Sequence, residues 1–138
     1  MALVSASMLK PLRHPRFWLC LWWLAVAFVV AACLMPSPNL PRVPHGGDKV
    51  EHILAFFALS ASAVQLYATR RALMFVAIGL LLLGIGIEWA QGAFTADRAS
   101  DPFDFLADAV GVALGMATVL TPLRDLLLRL DGRRDTNS

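Results

Sequence analysis

The stretch FWLCLWWLAVAFVVAACLM, Phe17 to Met35, contains no charged residue and stops at Pro36-Ser37-Pro38. A helix needs about 20 mostly apolar residues to cross the hydrocarbon of a bilayer. This run has that length and follows Lys10, Arg13 and Arg16, so it reads as a first spanning helix. Three further runs qualify: Asp48 or Lys49 to Tyr67, Ala72 to about Phe94, and Pro102 to about Leu120. The whole chain agrees with them. Of its 138 residues 58% are hydrophobic and only 16% charged, against about 25% charged in a soluble domain. Disorder is excluded by the same figures, and a net charge of +2 without a basic stripe excludes nucleic-acid binding.

The reading is therefore an all-α, polytopic membrane protein, four transmembrane helices in a small bundle. Residues 1–16 form a cytoplasmic segment, 17–122 the membrane domain, and 123–138 a cytoplasmic interfacial helix and tail. Orientation follows from Lys and Arg in short flanks. Nine of the twelve flank the proposed inner ends with three acids, a balance of +6; the outer ends carry three Lys or Arg and seven acids, a balance of −4. Both termini are thus expected in the cytoplasm, the protein being a multi-pass component of an inner (plasma) membrane. After Pro122, the residues Leu123, Leu126, Leu127 and Leu130 share one face of an interfacial helix. A rival reading takes residues 1–32 as a lipoprotein signal cleaved before Cys33, in Val30-Ala31-Ala32-Cys33. Cys20 and Cys33, roughly 20 Å apart on one helix, cannot form a disulfide.

The depth of the polar residues carries the functional information. Segments 53–68, 72–87 and 109–123 lack ionisable acids, bases and histidines apart from the terminal Tyr67. Asp48 and His52 share a face at the start of the second run, with Lys49 beside them; Glu88 and Gln91 share one near the end of the third. Asp104, Asp108, Gly111 and Gly115 form one stripe of the fourth, the two glycines in a G-x-x-x-G pattern suited to close helix packing. Gly79, Gly84 and Gly86 are expected to thin the third helix for packing. Charged groups in hydrocarbon are costly and are usually paired or face the bundle interior. Some have bland alternatives: Asp48 with Glu51 resembles a capping box, and Asp101-Pro102 an N-cap with proline at the first helical position. Glu88 fits that explanation least, since an anion near a helix C-terminus opposes the dipole; it is expected to be protonated, or paired with His52, Lys49 or Arg98.

Asp48-Lys49-Val-Glu-His52, Glu88-x-x-Gln91, Arg98 and Asp104-x-x-x-Asp108-x-x-Gly111 together resemble the VanZ-like membrane protein family over about residues 17–120. Asp108 departs from that pattern, which usually has asparagine there. The resemblance implies an envelope role; the family's namesake is associated with low-level resistance to the glycopeptide teicoplanin, without an established biochemical activity. The expected function is an outward-facing polar site for a cell-envelope ligand: a lipid-linked precursor, a glycan or a glycopeptide antibiotic. Asp48, Lys49, His52, Glu88, Gln91, Arg98, Asp104 and Asp108 would line it, with no cofactor. The alternative is an intramembrane hydrolase or transferase using His52 and the carboxylates, with or without a metal. The partners are the lipid bilayer and the envelope ligand, and the glycine-lined faces also admit a homo-oligomer.

Overall fold

The computed structural model describes residues 8–35, 47–94 and 101–132, and among them it is helical without a strand. Four long helices are α1 (Pro15–Leu34), α2 (Gly47–Leu66), α3 (Arg70–Phe94) and α4 (Pro102–Ala117), the last continuing as a 3-10 turn over Thr118–Leu120. A second 3-10 turn, Pro122–Asp125, leads into a short helix, α5 (Leu126–Asp131). Local chemistry sets several starts. Pro15 and Pro102 occupy the first helical positions, where a missing N–H costs nothing. Asp101 caps α4 by accepting the Phe103 N–H at 2.9 Å, and Thr69 Oγ1 caps α3 by accepting the Ala72 N–H at 3.1 Å. Asp48, read as a cap from sequence, lies instead inside the first turn of α2, which already begins at Gly47.

Three helices are long and apolar enough to cross a membrane: α1, α3 and α4 with its 3-10 extension. α2 falls short on hydropathy, because charged residues crowd its start and Ser60, Ser62 and Gln65 interrupt its second half. Much of the apolar surface faces outward, including Leu24, Phe28, Leu82, Trp89 and Phe94. In α1 only 11% of the apolar window is buried, so that helix is mainly a lipid-facing wall. Trp22 is its inward anchor, donating from Nε1 to the Leu59 carbonyl at 2.9 Å, whereas Trp23 is 57% exposed.

The core joins Trp22 and Val26 of α1 to Phe56, Leu59 and Ala63 of α2, Leu80 and Ile87 of α3, and Val112 of α4. α2 and α4 run side by side in the same direction and make the most extensive helix contact. Gly111 and Gly115 lie directly against the α2 backbone. A Cβ at Gly111 would stand 2.5 Å from the Ile53 carbonyl oxygen, and one at Gly115 would stand 2.7 Å from that of Phe57 and overlap Ser60 Oγ. The expectation for α3 is corrected in part. A Cβ at Gly79 or Gly86 would meet nothing, so neither thins a contact; Gly84 alone of the three does, against Asp108.

The opposite end of the bundle is closed by a clasp. The antiparallel bridge Leu9–Tyr67 holds the N-terminal segment along the turn after α2, with Lys10 N–H donating to Leu66 O and Ala68 N–H to Met8 O, both at 2.8 Å. Lys10 Nζ then pairs with Asp125 at 3.0 Å and donates to the Arg124 carbonyl. Gln65 makes the decisive contact. Its Nε2 donates to the Leu123 carbonyl at 2.9 Å, and its Oε1 accepts the Leu127 N–H at 3.0 Å. Those two backbone groups, four residues apart, would otherwise bond each other. The amide is inserted across one rung of the helical ladder, which is why residues 122–131 form a 3-10 turn and a short helix rather than the single interfacial helix expected. Replacing Gln65 by alanine should cost about 1–2 kcal/mol and free this segment. Amide hydrogen exchange should then rise at 123–131 and stay unchanged in α3; equal exchange would show that the amide contributes nothing.

Asp131 completes the clasp, accepting from the His14 backbone N–H at 3.0 Å and lying 3.0 Å from His14 Nδ1. The His14 ring and backbone N–H hold the Asp131 carboxyl well below the usual range, and Lys10 does the same for Asp125. A lowered folded pKa means the contribution is fully present above the ordinary carboxylate value near 4 and is lost as pH falls through the folded value. Proteolytic cleavage within 122–132 should therefore be pH-independent between about 5 and 7 with respect to these carboxylates and increase on acidification below about 4. Asp131→Asn should remove much of that acid dependence.

Candidate functional site

The polar residues of α2, α3 and α4 meet at one end of the bundle. His52 stands one turn into α2 and Asp108 two turns into α4, and His52 Nδ1 lies 2.7 Å from Asp108 Oδ1. One turn nearer the helix ends, Lys49 Nζ donates to Asp101 Oδ2 at 3.0 Å and Asp104 Oδ1 at 3.2 Å, with Asp48 at 3.8 Å. Side-chain exposure falls steadily with depth: 52% for Asp48, 37% for Lys49, 11% for Asp104, 7% for His52 and zero for Asp108. The polar cluster is graded with depth: its rim is wet and its floor is dry.

α3 supplies the remaining wall. Glu88 is buried and its Oε2 accepts the Asp101 backbone N–H at 2.8 Å, tying the end of α3 to the start of α4. That carboxyl thus sits at a helix N-terminus, where the dipole favours negative charge, although its own helix disfavours it. Gln91, also buried, donates from Nε2 to the Cys33 carbonyl at 2.8 Å and fixes the last turn of α1 to the same end. Arg98 lies outside the described residues. Asp101, for which capping is the bland alternative in the sequence, does cap and does more: it also receives Lys49 and presents its N–H to Glu88. The Phe103 N–H, with the Lys49 ammonium, holds the Asp101 carboxyl below its usual range.

Gly84 is the residue the sequence reading did not place here. Its missing Cβ makes room for the Asp108 carboxyl, since a Cβ there would stand 2.8 Å from Asp108 Oδ2. The only signal was its position four residues before Glu88, on the same face of α3.

Two atoms of the floor have chemical capacity left over. Asp108 Oδ2 is buried and has no hydrogen-bond partner among the described residues. His52 has its Nδ1 engaged by Asp108, while no described residue bonds its Nε2. An imidazole held at one nitrogen by a carboxylate is fixed in orientation, and its other nitrogen is available to exchange a proton. Among the described residues, the carboxylates of this cluster, Asp48, Glu88, Asp101, Asp104 and Asp108, outnumber Lys49 and His52. Among the described residues no group of three or more His, Cys, Asp or Glu is arranged to hold a metal ion. Searches with this sequence returned no matching protein-family model, curated protein or solved structure.

Proposed function

We propose that the chain is a four-span protein of the VanZ-like type in a bacterial inner membrane, with both termini cytoplasmic. Its outward-facing cleft would bind the polar headgroup of a cell-envelope amphiphile. Parity supports four crossings. The Arg13 N–H donates to the Gly132 carbonyl at 3.2 Å, so the start of α1 and the end of α5 share one side. Three spans alone would leave them on opposite sides; α2 supplies the even number. It reaches from Lys49 beside Asp104 to Gln65 beside Leu123, the same length as α4 and its extension. A C-terminal reporter active only in the cytoplasm should be active, and an external thiol reagent should label Asp48→Cys but not Arg70→Cys.

The observation that supports the ligand reading is the buried Asp108 Oδ2, which has no hydrogen-bond partner among the described residues. Leaving such a group without a partner costs about 1–3 kcal/mol, and a bound hydroxyl or ammonium donor would recover it. The test is thermal stabilisation of the purified protein by lipid-linked cell-wall precursor, glycan fragment and glycopeptide antibiotic in turn. At least one should raise the melting temperature, and Glu88→Gln or Asp108→Asn should abolish the rise while abundance stays normal. Abundance falling together with the ligand effect would make the cluster a structural clamp.

The His52–Asp108 geometry favours one alternative, an intramembrane hydrolase or transferase with His52 Nε2 as general base. Turnover of an envelope ester or phosphodiester, lost in His52→Gln while binding persists, would establish it; binding without turnover would exclude it for that substrate.

A further inference from the structure

α1 and α3 run in the same direction. Both begin beside the Leu9–Tyr67 bridge, and at their far ends Gln91 of α3 donates to the Cys33 carbonyl of α1. Between those ties lies a groove of about 470 Å³. Leu19, Trp23 and Val26 form its α1 wall, Phe75, Gly79 and Leu83 its α3 wall, and no charged side chain lines it. Trp22, fixed by its bond to the Leu59 carbonyl, closes it toward the core.

Two observations point to an occupant from outside the chain. The first is Gly79. Glycine is the costliest residue after proline inside a helix, yet no other helix comes within 4 Å of where a Cβ at this position would stand. The space it leaves belongs to the groove and is filled by nothing in the chain. The second is charge at one end of the groove. Arg71 Cζ lies 5.8 Å from the centroid of the Phe75 ring, so this guanidinium is seated on a residue of the groove wall. On the facing wall, Arg16 precedes Leu19 by three residues and Trp23 by seven, spacings that put all three on one side of α1. Both arginines are exposed, and neither side chain enters an ion pair among the described residues. Because α1 and α3 start together, the two cations stand at the same end, at the level of lipid headgroups.

We infer that the α1–α3 groove holds an anionic phospholipid, one acyl chain lying against Phe75, Gly79 and Leu83 and its phosphate at Arg71 and Arg16. Guanidinium groups bind phosphate oxygens in a fixed fork, and basic residues at the membrane surface attract anionic lipid. A zwitterionic lipid presents its own cation to the same arginines and gains less. A second copy of the chain, placed on this face about a two-fold axis along the membrane normal, would bring its own Arg16 and Arg71 against these two. The groove site does not depend on what the polar cluster of α2, α3 and α4 binds.

Native mass spectrometry of the full chain in detergent, titrated with phosphatidylglycerol or phosphatidylcholine, tests it. The anionic lipid should fill its first site at a several-fold lower concentration, and the preference should shrink as salt rises. Arg71→Gln should weaken phosphatidylglycerol binding about fivefold, and adding Arg16→Gln should remove the preference. Arg70→Gln, about 140° around α3 from Phe75, should leave it intact. Gly79→Phe, whose ring enters the open space, should weaken binding of both lipids several-fold in a protein that melts with the wild type. Equal binding of the two lipids by the wild-type chain would overturn the proposal. So would a preference that survives the arginine pair, or lipid binding untouched by Gly79→Phe. A dimer that Gly79→Phe dissociates and lipid does not displace would give the groove to a second copy instead.

Discussion

Gly115→Ala is expected to disrupt the bundle, with a loss of about 3 kcal/mol or more. The added methyl would stand 2.7 Å from the Phe57 carbonyl oxygen and 2.8 Å from the Ala61 nitrogen, besides overlapping Ser60 Oγ. Ser60 can rotate, but helix backbone cannot yield locally. α2 and α4 must therefore separate, which withdraws Asp104 from Lys49 and Asp108 from His52 at the same time. Gly111→Ala should behave similarly, meeting the Ile53 carbonyl oxygen at 2.5 Å. Gly79→Ala and Gly86→Ala are the controls. Their Cβ atoms enter open space, and alanine is the better helix former by about 1 kcal/mol, so both should be neutral or stabilising. Melting followed by tryptophan fluorescence in detergent separates the two groups. A Gly115→Ala protein that melts with the wild type would show that the α2–α4 contact is looser than its geometry.

Asp108→Ala should be nearly as damaging, about 3 kcal/mol, because it leaves His52 buried beside a void. Asp108→Asn should cost less than about 1 kcal/mol, since an amide oxygen can still accept from His52 Nδ1. The two variants together separate shape from charge. If both melt like the wild type, the pair contributes nothing to folding; if Asp108→Asn melts as early as Asp108→Ala, the charge itself holds the helices. Gly84→Ala offers a third arm. Its methyl would press on Asp108 Oδ2 at 2.8 Å, and it should destabilise the wild-type chain more than an Asp108→Ala background that has already vacated the space.

The helices were legible because uncharged runs of membrane-spanning length and proline or aspartate caps are local signals, as at Asp101 and Pro102. The depth of the site was legible for a similar reason: helix rise is fixed, so Lys49, His52, Glu88, Asp104 and Asp108 could be ranked by distance from the helix ends. Their partners were not. Pairing depends on helix rotation and on backbone groups that carry no residue-specific signature. Glu88 takes the Asp101 N–H, and Gln91 the Cys33 carbonyl, both of them main-chain groups. Gln65 shows the limit best. It reads as one polar residue in an apolar half, yet both its partners are main-chain atoms, 58 and 62 positions away.

The parallel pairing of α2 with α4 has a consequence for biogenesis. A translocon releases helices in the order they are made, and α2 is the long helix that falls short of spanning hydropathy. Apart from the longer Lys49–Asp48 contact, its Lys49 and His52 pair with Asp101, Asp104 and Asp108, residues synthesised about fifty positions later. Until the final helix arrives, α2 is held by its neighbours alone, without the carboxylates of α4 beside Lys49 and His52. A chain truncated before Pro102 would therefore expose a poorly retained segment to the proteases that survey the membrane, so that only completed molecules persist.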